Sequence, residues 1–159
     1  MKLYIKQKVF SIGDKYKIYD ASGNPIFYVE SELLTMAPKI HLYNMNREEL
    51  FYIKKKITFF LARYEIYQKG TQVAEVEQKF TLFRNQLKIH SAFGEFTLDG
   101  DTFAHNFDIL LDGKRYGSVR KQWLSWGDSY ELEVNNYEFV PYFCSLVIAI
   151  DNCVHNENS

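Results

Sequence analysis

The sequence predicts an all-β protein, a barrel of strands enclosing one C-terminal helix, on three observations. From residue 3 to residue 134, apolar and polar side chains alternate in short runs divided by Gly, Asn and Asp, the pattern of strands with one dry face. Aromatic residues make up 17% of the chain, with 13 Phe and 12 Tyr, and bulky rings are favoured on a pleated surface. Finally, Phe139 to Ile150 forms the one long segment with no charge and almost no polar atom. A helix that is apolar all round must be surrounded by protein or lipid, and roughly twelve apolar residues fall short of the roughly 20 that a membrane span needs. The segment therefore reads as a helix inside its own sheet.

Length and composition bound the rest. A chain of 159 residues fits one domain, 1–159, large enough for a single core. The 25% charged and 47% hydrophobic fractions are ordinary for a globular protein. A net charge of −1 lacks the basic excess that phosphate-backbone binding leaves, so nucleic acid is not an expected partner. The N-terminal Met1 to Phe10 alternates charge with apolar residues and has no apolar run to serve as a signal peptide. Cys144 and Cys153 are nine apart on one helix, where a rise of about 1.5 Å per residue holds them beyond disulfide reach. They read as small apolar fillers, and a cytoplasmic location is the expectation.

The elements follow in order. Leu3, Ile5 and Val9 share one face of a first strand, with Lys6 and Lys8 on the other. Lys15 to Asp20, a turn at Ala21-Ser22-Gly23-Asn24, and Pro25 to Glu30 make a hairpin, since Gly and Asn tolerate positive φ. The pattern recurs at Tyr64 to Gln68, Gly70, Val76-Glu77, offset by 48 residues before the turn and 47 after it. A weaker copy runs through Phe107 to Leu110, Gly113 and Val119-Arg120. Internal repetition and the general likeness of glycine-turn hairpins both account for this. Further strands are expected at Lys39 to Asn44, Leu50 to Ile57, Gln72 to Leu82, Gln86 to Ser91, Phe93 to Leu98 and Ser129 to Val134, with turns at Asp99-Gly100-Asp101 and Trp126-Gly127-Asp128.

An open sheet of about a dozen strands must curl, split or close. A closed barrel of that size leaves a lumen that strand side chains alone do not fill, and the apolar helix is a suitable plug. About fifteen helical residues span roughly 22 Å, against about 20 Å for strands of six residues. Pro141 suits the first helical turn, where its missing N–H is harmless. After Ile150 the composition turns polar, so the helix is expected to leave the barrel there and fray.

Several of these segments resemble the LURP-one-related family: Tyr16-Lys17-Ile18-Tyr19-Asp20-Ala21-Ser22-Gly23-Asn24, Ala62-Arg63-Tyr64-Glu65-Ile66-Tyr67, Ala74 to Phe83, and Asp128 to Val134 followed by the apolar helix and Ala149-Ile150-Asp151. The resemblance covers nearly the whole chain. It implies the fold shared with the Tubby C-terminal domain and the phospholipid scramblases, a closed Tubby-like barrel of twelve strands around a hydrophobic helix. For Tubby proteins it implies phosphoinositide binding. No Tubby headgroup motif can be placed on positions of this sequence, so no site residue is carried over.

The remaining candidates for chemistry are few. Lys54-Lys55-Lys56 is the densest positive run, and Lys54 and Lys56 share a face with Tyr52, while Lys55 shares the other with Phe51, Ile53 and Ile57. With Lys6, Lys8, Arg120 and Lys121 they could form a basic face for an anionic membrane, at about 1 kcal/mol per residue. The more ordinary reading of the same residues is a solvated strand surface that resists aggregation. His41, His90, His105 and His155 have no second ligand at metal-binding spacing, and no cofactor or nucleophile motif occurs. Trp123, Trp126 and Tyr130 suit either an interfacial anchor or a seal around the barrel end. The expected function is a non-enzymatic binding module for an anionic phospholipid surface or a protein partner. A small-ligand site or an enzyme site at a barrel mouth is the alternative.

Overall fold

The computed structural model describes residues 1–6, 15–32, 35–80, 85–124 and 127–155, and of Lys6, Phe80, Asn85, Trp123, Leu124, Gly127, Asp128 and His155 it describes the backbone alone. The strands are β1 (Lys2–Lys6), β2 (Lys15–Asp20), β3 (Pro25–Ser31), β4 (Lys39–Asn44), β5 (Glu49–Lys55), β6 (Arg63–Gln68), β7 (Thr71–Phe80), β8 (Asn85–Ser91), β9 (Phe96–Asp101), β10 (Asn106–Leu111), β11 (Lys114–Leu124) and β12 (Gly127–Val134). A 3-10 turn at Tyr137–Phe139 leads into the helix α1 (Val140–His155). The strands form one antiparallel sheet in the order β8-β7-β6-β5-β4-β3-β2-β1-β12-β11-β10-β9. β1 lies between β2 and β12, with Leu3 opposite Leu132, and the sheet curls into a nearly closed barrel around α1. Its end strands, β8 and β9, share no ladder among the described residues.

Alternation builds the core directly. Leu3 and Ile5, Ile18, Val29, Ile40 and Leu42, Phe51 and Ile53, Tyr64 and Ile66, Val76, Phe107 and Ile109, Val119 and Leu132 all point inward and are buried. They meet Tyr142, Phe143, Leu146, Val147, Ile148 and Ile150 of the helix, all buried as well. Tyr137–Val154 has the length and hydropathy of a membrane span, but its surroundings are the sheet, as its all-round apolar composition requires. At the helix entry Phe96, Phe139, Tyr142 and Phe143 form a group of tilted and edge-on ring pairs 5.5 to 6.5 Å apart.

The three hairpins that overlay in sequence share a bulge just after Ile18, Ile66 and Ile109, the residues the overlay puts in register. The β4–β5 hairpin has the same irregularity after Leu42, so the bulge belongs to the hairpins of that barrel end in general. Lys69-Gly70 and Asp112-Gly113 supply consecutive positive φ values, the geometry of two-residue turns that match strand twist.

Three expectations are corrected. Asp99-Gly100-Asp101 is not a turn but part of β9, which begins at Phe96; the chain turns after it, before β10. Gly100 is there because a Cβ would come within 2.6 Å of the Asn106 carbonyl oxygen, so the glycine marks a close backbone approach. Gly127 and Asp128 likewise belong to β12, while Trp126 lies outside the described residues. The helix also does not leave the barrel after Ile150: Asp151, Asn152, Cys153 and Val154 are all buried within it. The Tyr130 hydroxyl donates to Asp151 Oδ1, and Asn152 Nδ2 donates to the Ile148 carbonyl at 2.8 Å, so both polar groups are satisfied inside.

Candidate functional site

Antiparallel order gives the barrel two unlike ends. The connections β1–β2, β3–β4, β5–β6, β7–β8, β9–β10 and β11–β12 all emerge at one end, here the loop end, and the tight hairpins emerge at the other. The helix follows β12 in at the hairpin end, where Tyr142 donates to Ser91 Oγ at 2.9 Å, and finishes at the loop end. There Asp151 accepts from Tyr130, and His105 Nε2 stands 3.0 Å from Asp151 Oδ1. The His105 ring stacks on Tyr130 with centroids 4.4 Å apart. The three residues are 5% exposed or less, which makes this a sealed floor and not an open site.

The described part of the loop end over β3 to β6 exposes large apolar side chains. Met36 on the β3–β4 connection is 100% exposed, and Ile57, Phe59 and Phe60 on the β5–β6 connection are 79%, 99% and 92% exposed. The two loops are neighbours, since Lys55 N donates to the Pro38 carbonyl at 2.9 Å, and the β5–β6 connection is closed at its base by Lys56 N donating to the Arg63 carbonyl at 2.8 Å. Thr58 Oγ1 donates to the Leu61 carbonyl and turns the chain so that Phe59 and Phe60 project. Large apolar side chains clustered in solvent call for a partner, unlike the same residues scattered singly. Alternation missed this crown, because Ile57-Thr58-Phe59-Phe60-Leu61 breaks the period of two and fits no strand face. That break, directly after three lysines, is the signal that could have found it.

The basic residues singled out from sequence occupy three places. Lys54 and Lys56 lie on the outer face of β5 and the start of its loop, beside the crown. Both reach Glu65, at 3.4 Å each, and Lys56 also approaches Glu75 at 3.9 Å. Lys54 Nζ lies 4.8 Å from the centre of the Tyr67 ring. Lys55 sits half-buried at the barrel rim, opposite the buried Tyr64. Arg120 lies across the barrel on β11, donates to Asp108 and to the Phe107 carbonyl, and so is held in the wall. Lys121 pairs in register with the inward-facing Tyr130 and is half-buried. Lys6 ends β1 opposite Ser129, while its side chain, and Lys8 entirely, lie outside the described residues. In sheet order β5 stands four places from β1, so Lys54 and Lys56 are not brought together with Lys6, Arg120 and Lys121.

The outer face of β5 to β8 is thus a lattice of opposite charges. Glu65 would be raised by its burial, but hydrogen bonds from Tyr67, Lys54 and Lys56 outweigh this and hold it below the usual carboxylate range. Glu77 is likewise lowered against its burial, by His90 and Lys79, with Arg63 at 2.7 Å adding its charge. His41 lies between Glu49 at 2.7 Å and Glu32 at 3.0 Å, stacked on Tyr52. Among the described residues no three His, Cys, Asp or Glu side chains converge as a metal site would require.

Twelve antiparallel strands curled around a buried C-terminal helix, with an apolar crown at one end, define a single-helix barrel. The chain belongs to the LURP-one-related family, whose profile matches residues 1–151. It is 34% identical over 158 residues to the uncharacterized protein YxjI of Bacillus subtilis (strain 168), covering 99% of this chain and 96% of that one. A protein of Arabidopsis thaliana of known X-ray structure is similar in fold, with a TM-score of 0.63 at 13% identity over 94% of this chain and 90% of that one.

Proposed function

We propose that this protein is a non-enzymatic module that docks peripherally on anionic phospholipid membranes through its loop end. The observation that carries the reading is the crown of Met36, Ile57, Phe59 and Phe60, exposed together at one end of the barrel with Lys54, Lys55 and Lys56 just beneath. Side chains of this kind gain about 1.5 to 3 kcal/mol each when fully removed from water, so two inserted phenylalanines supply several kcal/mol against the costs of association. Lysines one turn behind an apolar tip lie at headgroup depth, where each contributes about 1 kcal/mol on an anionic surface. Because Lys54 and Lys56 share Glu65, their pull is partly cancelled, and the apolar tips carry the larger share.

Co-sedimentation with liposomes of neutral, simple anionic and phosphoinositide-containing composition, at low and physiological salt, tests this. Binding is expected to need anionic lipid, to weaken modestly with salt, and to fall at least about 100-fold in Phe59→Ser/Phe60→Ser, since each 1.4 kcal/mol is tenfold. Lys54→Glu/Lys56→Glu is expected to lose the salt-sensitive part. Phe59, Phe60 and Lys56 are exposed and Lys54 is half-buried on the outer face of the sheet, and circular dichroism should show both variants folded. Absence of binding to every composition at both salts removes the lipid reading.

A further inference from the structure

β8 and β9 are the two ends of the sheet, so each has a ladder on one side only: β8 with β7, and β9 with β10. The backbone groups on their other sides face each other across a cleft of about 400 Å³ that runs along residues 86–89 and 95–100. Leu87 and Leu98 have the inward parity of their strands yet remain half-buried, whereas Ile40, Ile53 and Ile109, away from the seam, are 0% exposed. Gly100 offers no side chain to cover the gap. Unpaired edges and a partly wet core stripe are together the features that an added strand would satisfy.

We propose that this seam takes an extended segment of a partner protein as an additional strand, a segment whose residues alternate apolar with basic. Its apolar side chains would cover Leu87 and Leu98. Its alternate residues would then face outward beside Asp99 and Asp101 of β9 and Glu95 just before it, which are exposed and held in no ion pair among the described residues. Basic residues at those positions complement β9, while on the β8 side Lys88 already faces Glu77 in register and His90 lies 3.1 Å from it.

The probe is an acetylated and amidated peptide of alternating leucine and lysine, about eight residues long to match a strand. It is read by fluorescence anisotropy and by backbone hydrogen exchange of the intact chain. The expected results are saturable binding, at least tenfold weaker binding of the leucine–glutamate peptide, and a similar loss when alternate peptide nitrogens are methylated. New protection should be confined to β8 and β9. Asp99→Lys should weaken the lysine peptide several-fold, and Phe59→Ser/Phe60→Ser should leave it unchanged, which separates this seam from the membrane reading. Four outcomes overturn the proposal: no peptide binding, indifference to N-methylation, protection confined to the loop end, or seam-side amides in the free chain as protected as those of β4, which would mean that β8 and β9 pair with each other. A concentration-dependent dimer that itself protects β8 and β9 makes a second copy the occupant and overturns it as well.

Discussion

Asp151 is a carboxylate 5% exposed near the end of an otherwise apolar helix, and its place there depends on two residues far away in sequence. Tyr130 on β12 donates a hydrogen bond to it, and His105, held at a positive φ of 52° before β10, brings its ring against both. Removing a donor to a buried carboxylate takes away part of what offsets its desolvation, so Tyr130→Phe is expected to cost about 1 to 3 kcal/mol. Chemical denaturation followed by circular dichroism measures it; an unchanged midpoint would show that Asp151 is served by other groups. Gly117 makes a second test. A Cβ there would come within 2.6 Å of the Glu133 carbonyl oxygen and 2.8 Å of the Phe143 ring, so Gly117→Ala is expected to destabilise by about 1 to 3 kcal/mol. Neither site was legible in the sequence. Asp151 and Asn152 read there as the polar exit of the helix, because composition cannot show that residues 105 and 130 return to Asp151 or that Asn152 bonds back to the Ile148 carbonyl.

The helix is the element on which the barrel closes. Leu146 is 0% exposed at its middle, where Leu146→Asp puts an unpaired charge at the centre of the core. That variant, and deletion of residues 139–159, are expected to give no folded protein; a soluble, monomeric, strand-rich truncation would contradict the central role of α1. Its two cysteines report the same property without mutation. Both thiols are buried and free, and burial pushes both well above the ordinary thiol range. A thiol reagent should leave Cys144 and Cys153 unmodified in the native chain and label both in denaturant. The native labelling rate should follow global opening; fast labelling without unfolding would mean that the helix end is open to solvent. The helix and the inward faces of the strands could be read from sequence because burial leaves a periodic trace, as in Leu3 and Ile5 or Phe51 and Ile53. The β8–β9 seam could not, since Leu87-Lys88-Ile89 and Phe96-Thr97-Leu98 alternate like any paired strand and periodicity does not record which neighbour is missing.

At the scale of the whole molecule, near-neutrality conceals a dense pattern of paired charge. The net charge of −1 comes from 19 basic and 20 acidic residues, and many of these meet across strands. Hydrogen bonds from Lys2 and then Tyr4 lower Glu131, and hydrogen bonds from His41 and Lys39 lower Glu32. Glu65 and Glu77 are lowered in the same sense against their own burial. A carboxyl group whose folded pKa lies below its unfolded value of about 4.3 contributes stability above that value and loses it as the pH falls through the folded pKa. Stability should therefore be level from neutral pH to about pH 5 and decline progressively below about pH 4.3. On the alkaline side Tyr142 adds to the two buried thiols: burial pushes its hydroxyl up to about 12, partly offset by its bond to Ser91. Its contribution is complete below the unfolded value of about 10 and is lost between there and the folded value. Thermal unfolding across this range tests both limbs. In Tyr142→Phe the alkaline decline should be shallower, and in Glu77→Gln the acid decline should be shallower, because each variant lacks one of the groups whose titration drives it. Acid and alkaline limbs unchanged by these substitutions would place the pH dependence in other pairs.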